Sequence, residues 1–211
     1  MPSFPSDIFT EPECDPDTLA NLGPLAPLAG VWAGTAGVDV HPAADGSETD
    51  AYVERYELEP IDPQTNGPQL YYGLRYHVHI TKPNEVETFH DQVGYWLWEP
   101  ATSTVVQTIA IPRGQVAMLS GHAAPGATTF DVHATVGSET FGICSNPFLD
   151  HAFRTVEVHV RVTVHPDGTW SYDEDTVMEV QGRDELFHHT DRHTLARILA
   201  PTPNPLVRPR S

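Results

Sequence analysis

The feature that most constrains the fold of this chain is a series of ten segments in which apolar and polar side chains alternate, as they do along β-strands. The segments are residues 30–41, 51–59, 69–81, 88–98, 104–111, 115–122, 128–136, 155–164, 169–180 and 186–198. Turn sequences such as Asp45-Gly46 and Pro166-Asp167-Gly168 separate them. Because no long helical pattern intervenes, we expect an antiparallel meander. Closure into a barrel would remove its exposed edges.

The predicted fold class is therefore all-β: a ten-stranded antiparallel meander β-barrel with a short N-terminal capping helix. Leucines at helical spacing indicate the helix, namely Leu19, Leu22, Leu25 and Leu28. Both ends of the chain are rich in proline, which removes backbone donors. We divide the chain into a proline-rich arm (1–16), a barrel domain (17–199) and a proline-rich tail (200–211). A ten-stranded barrel is wide enough to keep a ligand cavity.

The charge of the chain limits its partners. With 11 Lys and Arg residues against 29 Asp and Glu residues, the formal net charge is −18, so nucleic acid and anionic lipid are expected to be repelled. No apolar run approaches the roughly 20 residues of a membrane span. The expected partner is a small-molecule ligand, and pairing into a homodimer is left open. Cys14 and Cys144 are expected to be free thiols, which favours the cytoplasm.

Histidine is frequent, at 12 residues, and neutral imidazole binds transition metals and haem iron. Residues 77–79, His-Val-His, put two imidazoles on one face of a strand, and His90 is a third candidate. The arrangement resembles the first half of a cupin metal site, although Pro112, Gly114 and His122 have the wrong spacing for the second half. A cupin-like metal-binding protein is therefore one alternative, and histidines exposed on an outer face are the other.

The densest group of histidines is in residues 188–193, HHTDRH. In a helix, His189 and His193 would lie one turn apart and could bind zinc together. In a strand, they would share a face that looks into the barrel or out to solvent. The neighbouring Leu195 and Ile198 favour a partly buried end, where one imidazole is available to an axial coordination position. No catalytic residue is assigned, because the sequence has no G-x-S-x-G, C-x-x-C or phosphate-binding glycine loop.

Residues 25–42, LAPLAGVWAGTAGVDVHP, resemble the opening of the nitrobindin-like haem-binding β-barrels, in which G-x-W-x-G-x-G follows a short capping helix. Gly30, Trp32 and Gly34 match this motif. Ala36 stands at the next glycine position, with the following glycine displaced by one, which predicts a bulge or a shifted register. The resemblance continues in order through residues 52–54, 70–75, 89–96, 112–116, 170–172 and 190–195. Residues 138–154 look like an insertion over one end of the barrel.

The resemblance implies a barrel of fatty-acid-binding-protein shape that holds a b-type haem near its open end. It identifies His193 as the iron ligand, with His189 as the second candidate. The residues that it places around the haem are Gly30, Trp32, Gly34 and His90. Members of this family bind nitric oxide and isomerise peroxynitrite to nitrate, so peroxynitrite isomerase is the implied enzyme activity, left undecided at this point. The alternative is a haem-free carrier of a small apolar ligand in the same cavity.

Overall fold

Ten long antiparallel strands close into a barrel, as the alternating segments predict. The structure is a computed structural model and describes residues 4–203. Its strands are β1 (Gly30–Ala43), β2 (Gly46–Pro60), β3 (Gln64–Asn66), β4 (Gln69–Thr81), β5 (Thr88–Glu99), β6 (Thr104–Ile111), β7 (Gln115–His122), β8 (Thr129–Thr135), β9 (Ile143–Ser145), β10 (Phe153–Val164), β11 (Trp170–Val180) and β12 (Phe187–Leu199). Pairing of β1 with β12 and of β2 with β4 completes the ring.

Two of these strands and three short helical segments lie outside the ring. β3 pairs with β4, and β9 pairs with β7. The sequence pattern missed both strands, because three residues are too few to show alternation. The helical segments are α1 (Thr18–Asn21), a 3₁₀ helix (Gly23–Leu28) and α2 (Pro147–Ala152).

The N-terminal helical segments close one end of the barrel, which confirms the predicted capping helix. Leu22, Leu25 and Leu28 are fully shielded from solvent. The indole N–H of Trp32, at the start of β1, donates a hydrogen bond to the carbonyl of Leu28 at 2.7 Å. Gly23 adopts a left-handed backbone conformation with φ of 54°, and the indole of Trp98 lies where its side chain would be. These apolar contacts make this end of the barrel a packed plug.

The opposite end of the barrel is formed by the turns that join β1 to β2, β4 to β5, β6 to β7 and β11 to β12. Residues 138–154, which contain β9 and α2, reach the same end, where β10 begins. Inward-facing side chains near the end of β1 and near the starts of β5 and β12 therefore meet at this opening.

Strand faces separate the histidines that a cupin-like site would need. On β4, Tyr76 and Val78 are buried inside the barrel, whereas His77 and His79 alternate with them and face outward. His90 on β5 lines the interior. Since side chains on opposite faces of a sheet cannot reach one ion, the cupin-like alternative is wrong.

The two chain ends lack regular structure in the part that the structure describes. Residues 4–16 and 200–203 contain neither helix nor strand, and the rest of the predicted tail, residues 204–211, lies outside the described residues. The division into arm, barrel and tail stays a prediction. Cys14 and Cys144 are free and exposed, as expected. Among the described residues, no helix is long and apolar enough to cross a membrane.

Candidate functional site

A cavity of about 350 Å³ lies inside the barrel, a volume typical of small-molecule sites. Exposed Arg113, in the turn between β6 and β7, lies at its mouth. The apolar part of the wall is formed by Val78, Ile80, Phe89, Trp96, Ile111, Leu149, Phe153, Val160, Val162, Trp170 and Met178. Leu149 and Phe153 come from the segment 138–154, so that segment builds part of the cavity wall.

The opposite part of the wall, from β1, β2, β11 and β12, is polar. Four carboxylates line the cavity, namely Asp39, Glu54, Glu174 and Asp191. Arg113 is the permanently charged cation in this lining, and the imidazoles are His41, His90 and His189. Because buried carboxylates are costly without a partner, this wall favours positively charged or hydrogen-bond-donating ligands.

The carboxylate of Asp39 joins two of these histidines. Its Oδ1 lies 2.7 Å from Nε2 of His189, and its Oδ2 lies 2.7 Å from Nδ1 of His41. Oδ2 of Asp191 lies 3.4 Å from the same Nε2 of His189. Burial raises the pKa of Asp39, but the hydrogen bonds and charges of the two histidines outweigh burial and lower this pKa below its usual value. His189 is therefore held between two carboxylates.

Two carboxylates, Glu174 on β11 and Asp191 on β12, are paired neighbours beside this cluster. Burial, together with the charge of Glu174, raises the pKa of Asp191 well above its usual range. Burial also raises the pKa of Glu174. Burial lowers the pKa of His189, but the hydrogen bond to Asp39 and the charges of Asp191 and Glu174 raise it overall. All three shifts show that this wall favours bound positive charge, whether a proton or another cation.

His90 occupies a different environment near the mouth. Its Nε2 lies 3.3 Å from the amide oxygen of Gln92. Burial lowers the pKa of His90, and the charge of Arg113 adds to this effect. The imidazole is therefore held neutral, the form in which it binds metal ions.

His193 is buried in the barrel, beside residues that line the cavity. Its Nδ1 is 2.8 Å from Oε2 of Glu54, and its Nε2 accepts a hydrogen bond from the backbone N–H of Ala36 at 3.2 Å. The ring of Tyr52 packs edge-on against the imidazole, with 5.1 Å between ring centroids. Both ring nitrogens are thus engaged within the protein, and His193 is not part of the cavity lining.

An irregularity in β1 creates the pocket for this imidazole. The pairing register with β12 shifts between Ala33 and Val38, and the register with β2 shifts between Gly34 and Gly37. A bulge frees the backbone N–H of Ala36 from the ladder, so it can donate to His193. The bulge predicted from the displaced glycine is therefore confirmed. A Cβ at Gly34 would overlap the imidazole of His193.

The predicted site residues do not all meet at one place. His90 lines the cavity, whereas Gly30, Trp32 and Gly34, all on β1, are not part of the lining. Contact between these three residues and a cofactor stays a prediction.

Sequence reasoning missed the carboxylates Asp39, Glu54 and Glu174. One signal was available for Asp39 and Glu54. Both alternate with outward-facing residues in predicted strands and so occupy interior positions, where an acidic residue is uncommon.

A family model described as the THAP4-like, heme-binding beta-barrel domain matches residues 21–197. The chain belongs to the THAP4-like haem-binding β-barrel family. The matched range extends from the plug to the last strand, so the whole barrel is included.

One solved structure similar to this THAP4-like barrel is the crystal structure of Rv2717c from M. tuberculosis, with a TM-score of 0.58 and 18% sequence identity. The alignment covers 86% of this chain and 97% of that chain. At this identity the likeness establishes the fold alone. A search of curated proteins found no match to the chain.

The histidines of this THAP4-like barrel differ in how well they fit haem iron. His193 has no free ring nitrogen. The Nε2 of His189 faces Asp39 and Asp191 at 2.7 and 3.4 Å, so an iron at the centre of a macrocycle cannot approach it. His90 is neutral, lines the cavity and has no carboxylate bonded to its ring among the described residues. The residues present therefore fit haem through His90.

Proposed function

We propose that this protein binds b-type haem in the barrel cavity and acts there on reactive nitrogen species, binding nitric oxide and isomerising peroxynitrite to nitrate. Family membership supports the cofactor. The observation that carries the proposal is the position of His90 in the lining of a cavity with a broad apolar wall, with no carboxylate bonded to its ring among the described residues. His90 is the proposed iron ligand, and His193 is the alternative, which requires its bond to Glu54 to break.

The chain's own residues have distinct tasks in this proposal. The guanidinium of Arg113 donates to the carbonyl of Phe89 at 2.6 Å, which holds its charge at the mouth beside the strand that carries His90. There it can pair with the propionate carboxylates of the cofactor. Trp96 and Trp170 exclude water from the deep wall. When bound, haem supplies an iron coordination position for small ligands, whose access is set by the polarity of the surrounding pocket.

Haemin titration of the purified, tag-free protein tests the cofactor assignment. We expect a shifted Soret band that saturates at one haemin per chain, and a pyridine haemochrome spectrum of the b type. His90→Ala should abolish the shift, whereas His193→Ala should retain it. His77→Ala, which changes an exposed histidine on the outer face of the barrel, is the matched control. A Soret band that survives in His90→Ala but disappears in His193→Ala would transfer the ligand role to His193.

The enzyme assignment needs a separate experiment. Stopped-flow decay of peroxynitrite should be faster with the ferric protein than with the same concentration of the His90→Ala variant, and nitrate should be the product. Nitric oxide should shift the Soret band of the wild type. Haem binding without faster decay of peroxynitrite would support a haem-binding protein and contradict the isomerase activity.

The four carboxylates of the cavity favour a second candidate, a haem-free carrier of a small ligand. Haem propionates are themselves anionic and are repelled by this wall, whereas a small ligand with donor groups can bond to it. Native mass spectrometry of the purified protein distinguishes the two candidates. A co-purified small molecule in a protein that takes up no haemin would support the carrier.

Two further proposals concern the state of the protein in the cell. We place it in the cytoplasm, supported by two exposed cysteines that remain free thiols. We also propose a homodimer. Its support is a row of exposed apolar side chains on the outer face of β5 and β7, namely Val93, Tyr95, Val116 and Met118. Sedimentation equilibrium of the wild type and of Tyr95→Asp tests the dimer, which the variant should weaken.

A further inference from the structure

We propose that Asp39, His189 and Asp191 form a binding site for one divalent transition-metal ion, in the cavity wall and independent of haem. One ligand atom from each of the three side chains lies within 4.8 Å of the other two. One imidazole nitrogen and two carboxylate oxygens make a mixed donor set that suits Zn²⁺ and ions of similar character.

The backbone holds these three ligands in fixed positions. Asp39 lies on β1, and Asp191 is its directly paired partner on β12. His189 is two residues before Asp191, so its side chain projects from the same face of the strand. A metal site therefore needs no loop to close around it, because two hydrogen-bonded strands of the barrel supply all three side chains.

The spacing of the ligand atoms is close to that around such an ion. The Nε2 of His189 lies 2.7 Å from Oδ1 of Asp39 and 3.4 Å from Oδ2 of Asp191. In a tetrahedral site with metal–ligand bonds of about 2.0–2.1 Å, neighbouring ligand atoms are roughly 3.3 Å apart. The distance from Nε2 of His189 to Oδ1 of Asp39 must widen by about 0.6 Å to admit a bare ion.

The charges around the site also favour the binding of a cation. Among residues 4–203, no Lys or Arg forms an ion pair with Asp39 or Asp191. A second cluster, formed by Asp39, His41 and Asp50, differs, because Nζ of Lys82 lies 2.5 Å from Asp50 and already neutralises it. The cluster of Asp39, His189 and Asp191 is therefore the better metal site.

A buried oxygen without a hydrogen-bond partner belongs to the lining of the same cavity. Glu54 is almost completely buried and lines the cavity, and its Oε1 has no hydrogen-bond partner among the described residues. Buried carboxylate oxygens are normally bonded. The cavity lining therefore retains a buried acceptor that no described residue satisfies. With three protein ligands, the ion keeps a coordination position open toward the cavity, as in reactive rather than structural zinc sites.

Calorimetric titration with ZnCl₂ tests the site in the tag-free full chain, without haemin, after removal of metals by EDTA and dialysis. We expect one tight site per chain. His189→Gln and Asp191→Asn should each weaken Zn²⁺ binding at least tenfold. The matched controls are His188→Gln, which changes the neighbouring exposed histidine, and Asp173→Asn, which changes an exposed carboxylate on β11. Both controls should bind Zn²⁺ like the wild type.

Two results would overturn the proposal: the absence of a stoichiometric site, or equal Zn²⁺ binding by the site variants and the wild type. Circular dichroism in EDTA establishes that the variants are folded. If either site variant fails to fold, Co²⁺ titration of the wild type decides the question. Strong d–d absorption supports nitrogen-containing coordination of low symmetry, whereas a spectrum as weak as that of hydrated Co²⁺ contradicts it. None of these measurements depends on haem, so the two proposals fail or succeed separately.

Discussion

Nδ1 of His193 lies 2.8 Å from Oε2 of Glu54, and both side chains have 0% solvent exposure although they are 139 residues apart in the sequence. The hydroxyl of Tyr172 donates to the same glutamate oxygen at 2.9 Å, and the hydroxyl of Tyr52 lies 2.8 Å from that of Tyr172. Together these four side chains form a buried polar layer, and three of them, Tyr52, Glu54 and Tyr172, also line the cavity. The layer binds the imidazole from several sides and keeps it away from ligands.

Removing the charge of Glu54 should destabilise the barrel. We expect Glu54→Gln to lower the free energy of unfolding by about 3 kcal/mol, because breaking a buried pair leaves its partners unsatisfied. Urea denaturation followed by tryptophan fluorescence measures the change. The control is Glu59→Gln, which breaks an exposed ion pair with Arg75 and should cost less than about 1 kcal/mol. Equal costs for the two variants would show that the buried layer adds no stability.

A methyl group at Gly34 should be costly because of His193. We expect Gly34→Ala to destabilise the protein by about 1–3 kcal/mol, since the new Cβ would overlap the imidazole. Gly126→Ala, where a Cβ meets no atom within 4 Å, should change stability by less than about 0.5 kcal/mol.

A double-mutant cycle identifies the cause of the Gly34 effect. In a His193→Ala background the clash is absent, so Gly34→Ala should cost less than it does in the wild type. The measurement is again urea denaturation of all four proteins in the cycle. An undiminished cost in the His193→Ala background would mean that the clash is with the backbone rather than with this ring.

The buried carboxylate of Glu174 should make the metal-free protein sensitive to pH. Its folded-state pKa is raised above the usual 4.5 by burial, so its stabilising contribution is complete below that value and is lost as the pH rises through the folded-state pKa. Glu174→Gln should therefore raise the melting temperature at pH 8 and have little effect near pH 4. A chain of this size gains about 2–4 °C for each kcal/mol.

Thermal unfolding in EDTA between these pH values checks the Glu174 prediction. Asp173→Asn, which changes the exposed neighbouring carboxylate, serves as the control and should leave the pH profile unchanged. A Glu174→Gln protein that melts below the wild type at pH 8 would contradict the prediction.

Both cysteines should react in the folded protein. Cys14 and Cys144 are exposed and free, so Ellman's reagent should titrate two thiols per chain without denaturant. The denatured, unreduced protein is the control and should give the same count. A lower count in both samples would indicate a disulfide.

The barrel was predictable from the sequence because its signal is local. Alternation along each segment and the short turns between segments indicated all ten ring strands, and the displaced glycine after Gly34 indicated the bulge in β1. The leucines of residues 19–28 indicated the capping helix. The strands β3 and β9 were missed, since three residues carry no measurable period. The alternation in residues 77–79 correctly placed two histidines on one face of a strand. Alternation alone did not establish that this face is the outer one.

The sequence by itself determined the strand segments, the turns between them and which side chains share a strand face, because these depend on residues close together in the chain. Tertiary structure alone decided the surroundings of each inward histidine. His189, His193 and His90 all point inward, yet one contacts Asp39, one is sealed by Glu54 and one stays neutral near Arg113. The depth of a side chain along the barrel and the charges on facing strands make that difference, and both depend on residues far apart in sequence.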